Sequence, residues 1–295
     1  MRIGCFCFVC LHISNGNVTF ARNSLLNMKQ GKKFISPGAW FSMIYPADWS
    51  EFEDGEGSFL FYNPAKWTGN FRISAYKGSP AYGRDSIQQE LKENPSAVRV
   101  KIGELECAYS KEMFEEEGTY YTSHLWITGL DEIAFECSFT VSRGEPVTEA
   151  EEIIASLEIR REGVKYPAEI IPVRLSEICQ INEAYEWVDS IVKESLKKDF
   201  QGSEEDVVKM QQIVDKGEIG PKKKDAWLAL GITLCVILTN EVDGMEWRTL
   251  VDGNREVPIL LNTSTGERID PMKLVWSKVK AGGKVNLVET YNALF

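Results

Sequence analysis

The chain has 295 residues, with 33 Lys and Arg against 44 Asp and Glu, so its formal net charge is −11. A 43% apolar and 11% aromatic content allows a sizeable core and excludes global disorder. The acidic balance denies the basic surface that nucleic-acid binding needs, and no apolar stretch reaches the ~20 residues of a membrane span.

Residues 1–27 stand apart. They hold Arg2 and Arg22 but no acid, three cysteines (Cys5, Cys7, Cys10) and one of the two histidines, His12. Ile3 to Ile13 resembles the apolar centre of a signal peptide but lacks a small-x-small cleavage site. Cys-x-Cys-x-x-Cys with His12 matches no common zinc spacing. A third reading starts translation at Met28, whose polar run to Lys33 leads into the first strand. Residues 1–33 are therefore read as a leader or extension. The expected location is the cytoplasm, with export as the alternative if residues 1–27 act as a signal.

From Phe34 to Arg160 the dominant period is two, and 22 acids face 10 bases. Ile133, Phe135, Cys137, Phe139 and Val141 share one strand face, which predicts an antiparallel sheet with one buried side. Shorter runs recur at 71–75 and 105–109, and after Gly118 Tyr121, Leu125 and Ile127 form an apolar face alternating with Tyr120, Thr122, His124 and Trp126. A helix is predicted after Asp85, and another from the Thr148-x-x-Glu151 capping box. The expected fold of 34–160 is an α+β domain of six or seven strands with helices against one face. Its aromatics, among them Trp40, Trp49, Tyr62 and Trp67, either line a ligand or partner surface or fill the core. His124 has no sequence neighbour to orient it as a base, and Glu115–Glu117 read as a solvated hairpin tip.

The first strand ends Ile44-Tyr45-Pro46, Trp49 follows, and a long meander closes with an amphipathic helix. This order resembles the PsbP-like fold, shared by the PsbP photosystem subunit and a Ran-binding import factor. The resemblance implies binding of partners or small ligands and supplies no catalytic residues.

Residues 161–175, with Pro167 and Pro172, read as a linker. Residues 176–295 are expected to be a mostly helical α+β domain with a small hairpin. Ile178 to Leu196 recurs at helical spacing with Ser176 as cap, and Ser203-x-x-Asp206 looks like a second cap. Ala226 to Leu238 is apolar on every side, hence a central helix. Glu246 to Asn254 and Val257 to Leu261 predict the hairpin, and Asp270-Pro271 opens a later helix. Trp247, Arg248, Asp252 and Asp270 are the candidate polar site of this half. Gly231, Glu241, Glu246-Trp247, Thr265-Gly266-Glu267 and Asp270-Pro271 resemble an uncharacterised bacterial domain family, which implies no activity.

No phosphate loop, dinucleotide fingerprint, metalloprotease or serine-hydrolase motif occurs, so no cofactor, metal or catalytic residue is assigned. The expected function is non-catalytic: protein interaction or ligand binding, with an unidentified protein or small-molecule partner. The alternative is a carboxylate-dependent hydrolase built on residues such as Asp252 and Asp270.

Overall fold

The computed structural model describes residues 31–55, 57–161 and 163–294. The Cys5, Cys7, Cys10 and His12 group and the start at Met28 lie outside the described residues.

Two antiparallel sheets build the first half. β1 (Lys32–Ile35), β2 (Phe41–Tyr45) and β10 (Glu158–Ile159) lie in the order β1-β2-β10. β3 (Ser50–Gly55), β4 (Ser58–Tyr62), β5 (Asn70–Lys77), β6 (Val98–Ile102), β7 (Leu105–Glu116), β8 (Thr119–Leu130) and β9 (Ile133–Ser142) form a seven-stranded sheet. Its order is β3-β4-β5-β9-β8-β7-β6. Phe34, Phe41 and Met43 of the small sheet meet Phe59, Phe61, Phe71, Phe135, Cys137 and Phe139 of the large one. Phe34 lies 4.9 Å from Phe59 and Phe41 lies 5.1 Å from Phe135, both inclined as aromatic quadrupoles prefer. Helix α1 (Tyr82–Glu93) crosses the β8–β9 end. A Cβ at Gly83 would stand 2.6 Å from the Ile133 carbonyl oxygen, so only glycine allows that approach. Helix α2 (Thr148–Ala155) adds Ala150, Ile153 and Ile154 to the core.

The second half wraps helices around one buried helix. α3 (Leu175–Leu196), α4 (Glu205–Asp215), α6 (Pro271–Leu274), α7 (Trp276–Lys280) and α8 (Leu287–Asn292) surround α5 (Lys224–Glu241). Leu230, Leu234, Cys235, Ile237 and Leu238 of α5 are fully buried, as the apolar run predicts. A four-stranded sheet, β11 (Glu169–Pro172), β12 (Met245–Asp252), β13 (Arg255–Asn262) and β14 (Arg268–Ile269), covers one side in that order. The class is α+β throughout: an antiparallel-sheet half, then a mostly helical half with a hairpin.

Four local expectations need correction. Glu169–Pro172, read as linker, is a strand; four residues containing a proline are too short to show a period, and only pairing with β12 fixes them. In β8 the buried face carries Thr122, His124, Trp126 and Thr128, while Tyr121, Leu125 and Ile127 are half-buried. There the bulk of Trp126 outweighs the aliphatic face. Asp85 and Thr148 lie inside helices that begin without side-chain caps, and Ser176 lies inside α3. Asp206 does reach back to the Ser203 amide, its Oδ2 accepting at 3.2 Å as such a box requires, but the same oxygen also accepts from the amides of Gln201 at 2.7 Å and Gly202 at 2.8 Å and so pins the preceding loop.

The halves meet over a small shared cluster of Ile35, Ile171 and Val251, each no more than 2% exposed. Beside it Arg174, 2% exposed, pairs with Glu177 at 2.5 Å and Glu256 at 2.8 Å. Its Nη1 donates to the Ile35 carbonyl at 3.2 Å, and Glu256 accepts from the Gly38 amide at 3.3 Å. A buried cation and its two carboxylates thus tie the β1–β2 connection to the second half.

Candidate functional site

Directly above this junction is a cleft of about 310 Å³ to which both halves contribute. Gly38, Ala39 and Trp40 come from the β1–β2 connection, Lys77 from the end of β5, and Glu132 from the β8–β9 turn. Arg160, Arg161, Val164 and Tyr166 come from the connection between the halves. Gly253 and Asn254 form the two-residue turn joining β12 to β13, with Gly253 at φ 60° as such turns require. The longer, five-residue β1–β2 connection also uses left-handed backbone: Gly38 has φ 72° and Ala39 φ 51°, a conformation that costs a non-glycine residue free energy.

Arg160 is the organising side chain. It is 6% exposed, and Nη1 donates to Glu169 Oε2 at 2.7 Å. Tyr166 covers the guanidinium, with Cζ 4.1 Å from its ring centroid. The Arg160 amide donates to the Trp40 carbonyl at 2.8 Å, which fixes the connection against β2. Nε is buried and makes no hydrogen bond. Glu169 also accepts from Lys33 Nζ at 2.8 Å, so two cations share one carboxylate. Burial alone would raise the Glu169 pKa, but hydrogen bonds from Lys33 and Arg160 outweigh it and hold the carboxyl below its ordinary value. The Tyr166 hydroxyl accepts from the Arg161 amide at 3.0 Å, locking the ring over Arg160. Lys77 lies 3.9 Å from Glu132 on the opposite wall.

Only some of the residues expected from sequence converge here. Trp40, 41% exposed, lines the cleft, and exposed Asp252 adjoins its Gly253-Asn254 turn. Trp49 is a core residue, 2% exposed, with its ring 6.2 Å from Phe139; a large apolar ring is worth most where it displaces water. Tyr62 sits half-buried with its ring 6.5 Å from Phe52, and Trp67 lies exposed before β5. Trp247 packs on the second core, and Arg248 pairs with Glu246 along the β12 face. Asp270 pairs with Arg255 and lies 3.5 Å from Lys273. Neither Asp252 nor Asp270 lines the cleft, and with Asp270 committed to two cations the pair does not form an acid–base couple. Among the described residues no three His, Cys, Asp or Glu side chains group closely enough to hold a metal ion. The His124 Nδ1 lies 2.7 Å from the Tyr109 hydroxyl, and the imidazole stacks between Tyr109 and Trp126. Burial, assisted by Lys111, lowers its pKa.

Sequence reasoning missed Arg160, Glu169 and Tyr166 because they fall in or beside the segment read as linker. The signal was present as charge: Arg160, Arg161 and Glu169 within ten residues, on a stretch that an ordinary linker would leave in solvent. Its meaning depends on Lys33, 136 positions away from Glu169.

Comparison with known proteins gives the following. A family model described as a domain of unknown function (DUF3805) matches residues 29–182. A second, also described as a domain of unknown function (DUF3806), matches 206–291. A crystal structure from Bacteroides thetaiotaomicron is similar at 72% identity and a TM-score of 0.87, covering 90% of this chain and 98% of that one. Cyanobacterial PsbP from Synechocystis matches at 11% identity and a TM-score of 0.25, covering 50% of this chain and 98% of that one. LpqN of Mycobacterium tuberculosis, whose structure is described as involved in cell envelope biogenesis, matches at 16% and 0.26, covering 44% and 86%. At those two TM-scores the likeness carries no argument about this chain. No curated protein matches it in sequence.

Proposed function

The chain belongs to the DUF3805 family of unknown function, and from its own geometry we propose that it is a non-catalytic ligand-binding protein whose site is the cleft between its halves. The observation that carries this is convergence: Gly38 to Trp40, Arg160 with Arg161, Val164 and Tyr166, and Gly253 with Asn254, far apart in sequence, meet around one concavity of ligand size. A cleft at a junction also gives binding a consequence, because any occupant touches both halves and stabilises their contact. Its lining offers cations and rings for recognition. The free, buried thiols of Cys107, Cys137 and Cys235 favour a cytoplasmic setting for this role.

The test is a thermal-shift screen of a metabolite library on the wild type and on Asn254→Trp, which fills the cleft from an exposed turn position. A compound that raises the wild-type midpoint and leaves the variant unmoved supports the reading. Equal stabilisation of both proteins by every hit refutes it.

A second reading concerns the β7–β8 hairpin arm. β6 pairs with β7 only as far as Tyr109, so the outer edge of Ser110–Glu116 has no strand partner among the described residues. Met113 is 62% and Tyr120 53% exposed there, among Glu112, Glu115, Glu116 and Glu117. Such an arm suits contact with a basic protein surface. Substituting Met113→Ser with Tyr120→Ser should abolish capture of that partner from native extract without changing the thermal midpoint; unchanged capture removes this reading.

A further inference from the structure

The charge in the cleft runs against the protein as a whole. Across a chain of net charge −11, the lining carries three cations, Lys77, Arg160 and Arg161, and one carboxylate, Glu132. Behind the wall, Lys33 and Arg160 together lean on the single carboxylate of Glu169, which leaves one positive charge of that trio uncompensated. Arg160 also retains a buried Nε–H with no acceptor. Nearly all buried donors in folded proteins find partners, so an orphan at the edge of a concavity points to an acceptor that arrives from outside. Apolar and aromatic surface stands beside these cations: the Trp40 indole, the Tyr166 ring and Val164.

Resting on the cleft being the binding site, we infer that its ligand is a small oxyanion, a carboxylate or phosphate, attached to a planar ring. Arg160 and Arg161 take the anionic group, and Trp40 and Tyr166 take the ring. Planar guanidinium groups match carboxylate and phosphate oxygens in bidentate geometry, and a ring lying beside an indole gains stacking area. A volume near 310 Å³ sits at the small end of ligand pockets, which favours a metabolite over a polymer. Gly253 and Asn254 line the cleft from the second half, so the occupant touches both halves.

The test is calorimetric titration of the full chain with benzoate, phenyl phosphate, inorganic phosphate and neutral benzamide. At least one ring-bearing anion should bind about tenfold or more tightly than benzamide and than inorganic phosphate, the margin of a charge-assisted hydrogen bond. Arg160→Gln should remove about tenfold or more of that affinity. Because Arg160 is buried and could be needed for folding, exposed Arg161→Gln is the second variant, expected to lose about threefold or more with an unchanged melting midpoint. Trp40→Ala should narrow the gap between phenyl phosphate and inorganic phosphate. Benzamide binding as tightly as benzoate, with that binding lost in Asn254→Trp, would overturn the anion assignment and leave the cleft intact as a site. Anion binding unaffected by Arg160→Gln, Arg161→Gln and Asn254→Trp alike would overturn both.

Discussion

Replacing Arg174 with methionine perturbs the joint on which the cleft is built. The side chain is 2% exposed and holds two carboxylates, at 2.5 Å and 2.8 Å, and the Ile35 carbonyl at 3.2 Å. Methionine retains an unbranched apolar stem, so the lost packing is modest. What remains is Glu177, 9% exposed, and Glu256, 18% exposed, with no cation between them. Stranding buried charge in this way costs about 3–5 kcal/mol, whereas removing all the charges together is often close to neutral. With a urea dependence of about 3 kcal/mol per molar, Arg174→Met should lower the unfolding midpoint by about 1–1.7 M. The triple change Arg174→Met, Glu177→Gln, Glu256→Gln should recover most of that loss. A single-variant loss under about 1 kcal/mol, or a triple variant no more stable than the single one, would refute the view that charge desolvation governs this joint.

Gly231 in α5 gives a test in which propensity and packing disagree in sign. Alanine should stabilise a helix interior by about 1 kcal/mol, but a Cβ here would stand 2.3 Å from the Pro271 carbonyl oxygen, a backbone atom. Gly231→Ala is therefore expected to destabilise by about 1–3 kcal/mol in urea titration, and any gain in stability would show that α6 yields easily. Glu169 and Asp206 govern acid stability. For Asp206, burial would raise the pKa, but Lys209 and the amides of Gln201 and Ser203 outweigh it, so both carboxyls lie below their ordinary values when folded. Their contribution is then complete above the unfolded carboxyl range, about 4, and is lost as pH falls through the depressed values. Asp206→Asn should lower stability at pH 7 more than at pH 3, and an equal loss at both would exclude ionisation as the cause.

Long, regular segments were readable from sequence because one short-range period decides them. The alternation of β9 and the all-round apolar character of α5 each fix an element regardless of what packs against it. The hairpin of β12 and β13 announced itself through Asp252-Gly253-Asn254 between two apolar runs. Caps were less legible: Thr148 is the first residue of α2 and makes no cap bond, the N-cap being Val147, and Asp206 shares its Oδ2 between the Ser203 amide and the loop behind it. The cleft was the least legible part. Trp40 and the turn beside Asp252 were each singled out, but nothing local says that they face one another. Their approach depends on β11 pairing with β12 and on Arg174 reaching Ile35 across 139 positions. The same non-local pairing turned a charged linker into the wall that presents Arg160.

The central claim, that ligand and junction are one site, is tested most directly by amide hydrogen exchange with and without the tightest-binding compound of the thermal-shift screen. Protection should rise together in the peptides spanning 38–40, 160–166 and 253–254, with the β7–β8 arm unchanged. Protection confined to one half, or appearing on the arm while those three segments exchange as before, would contradict it.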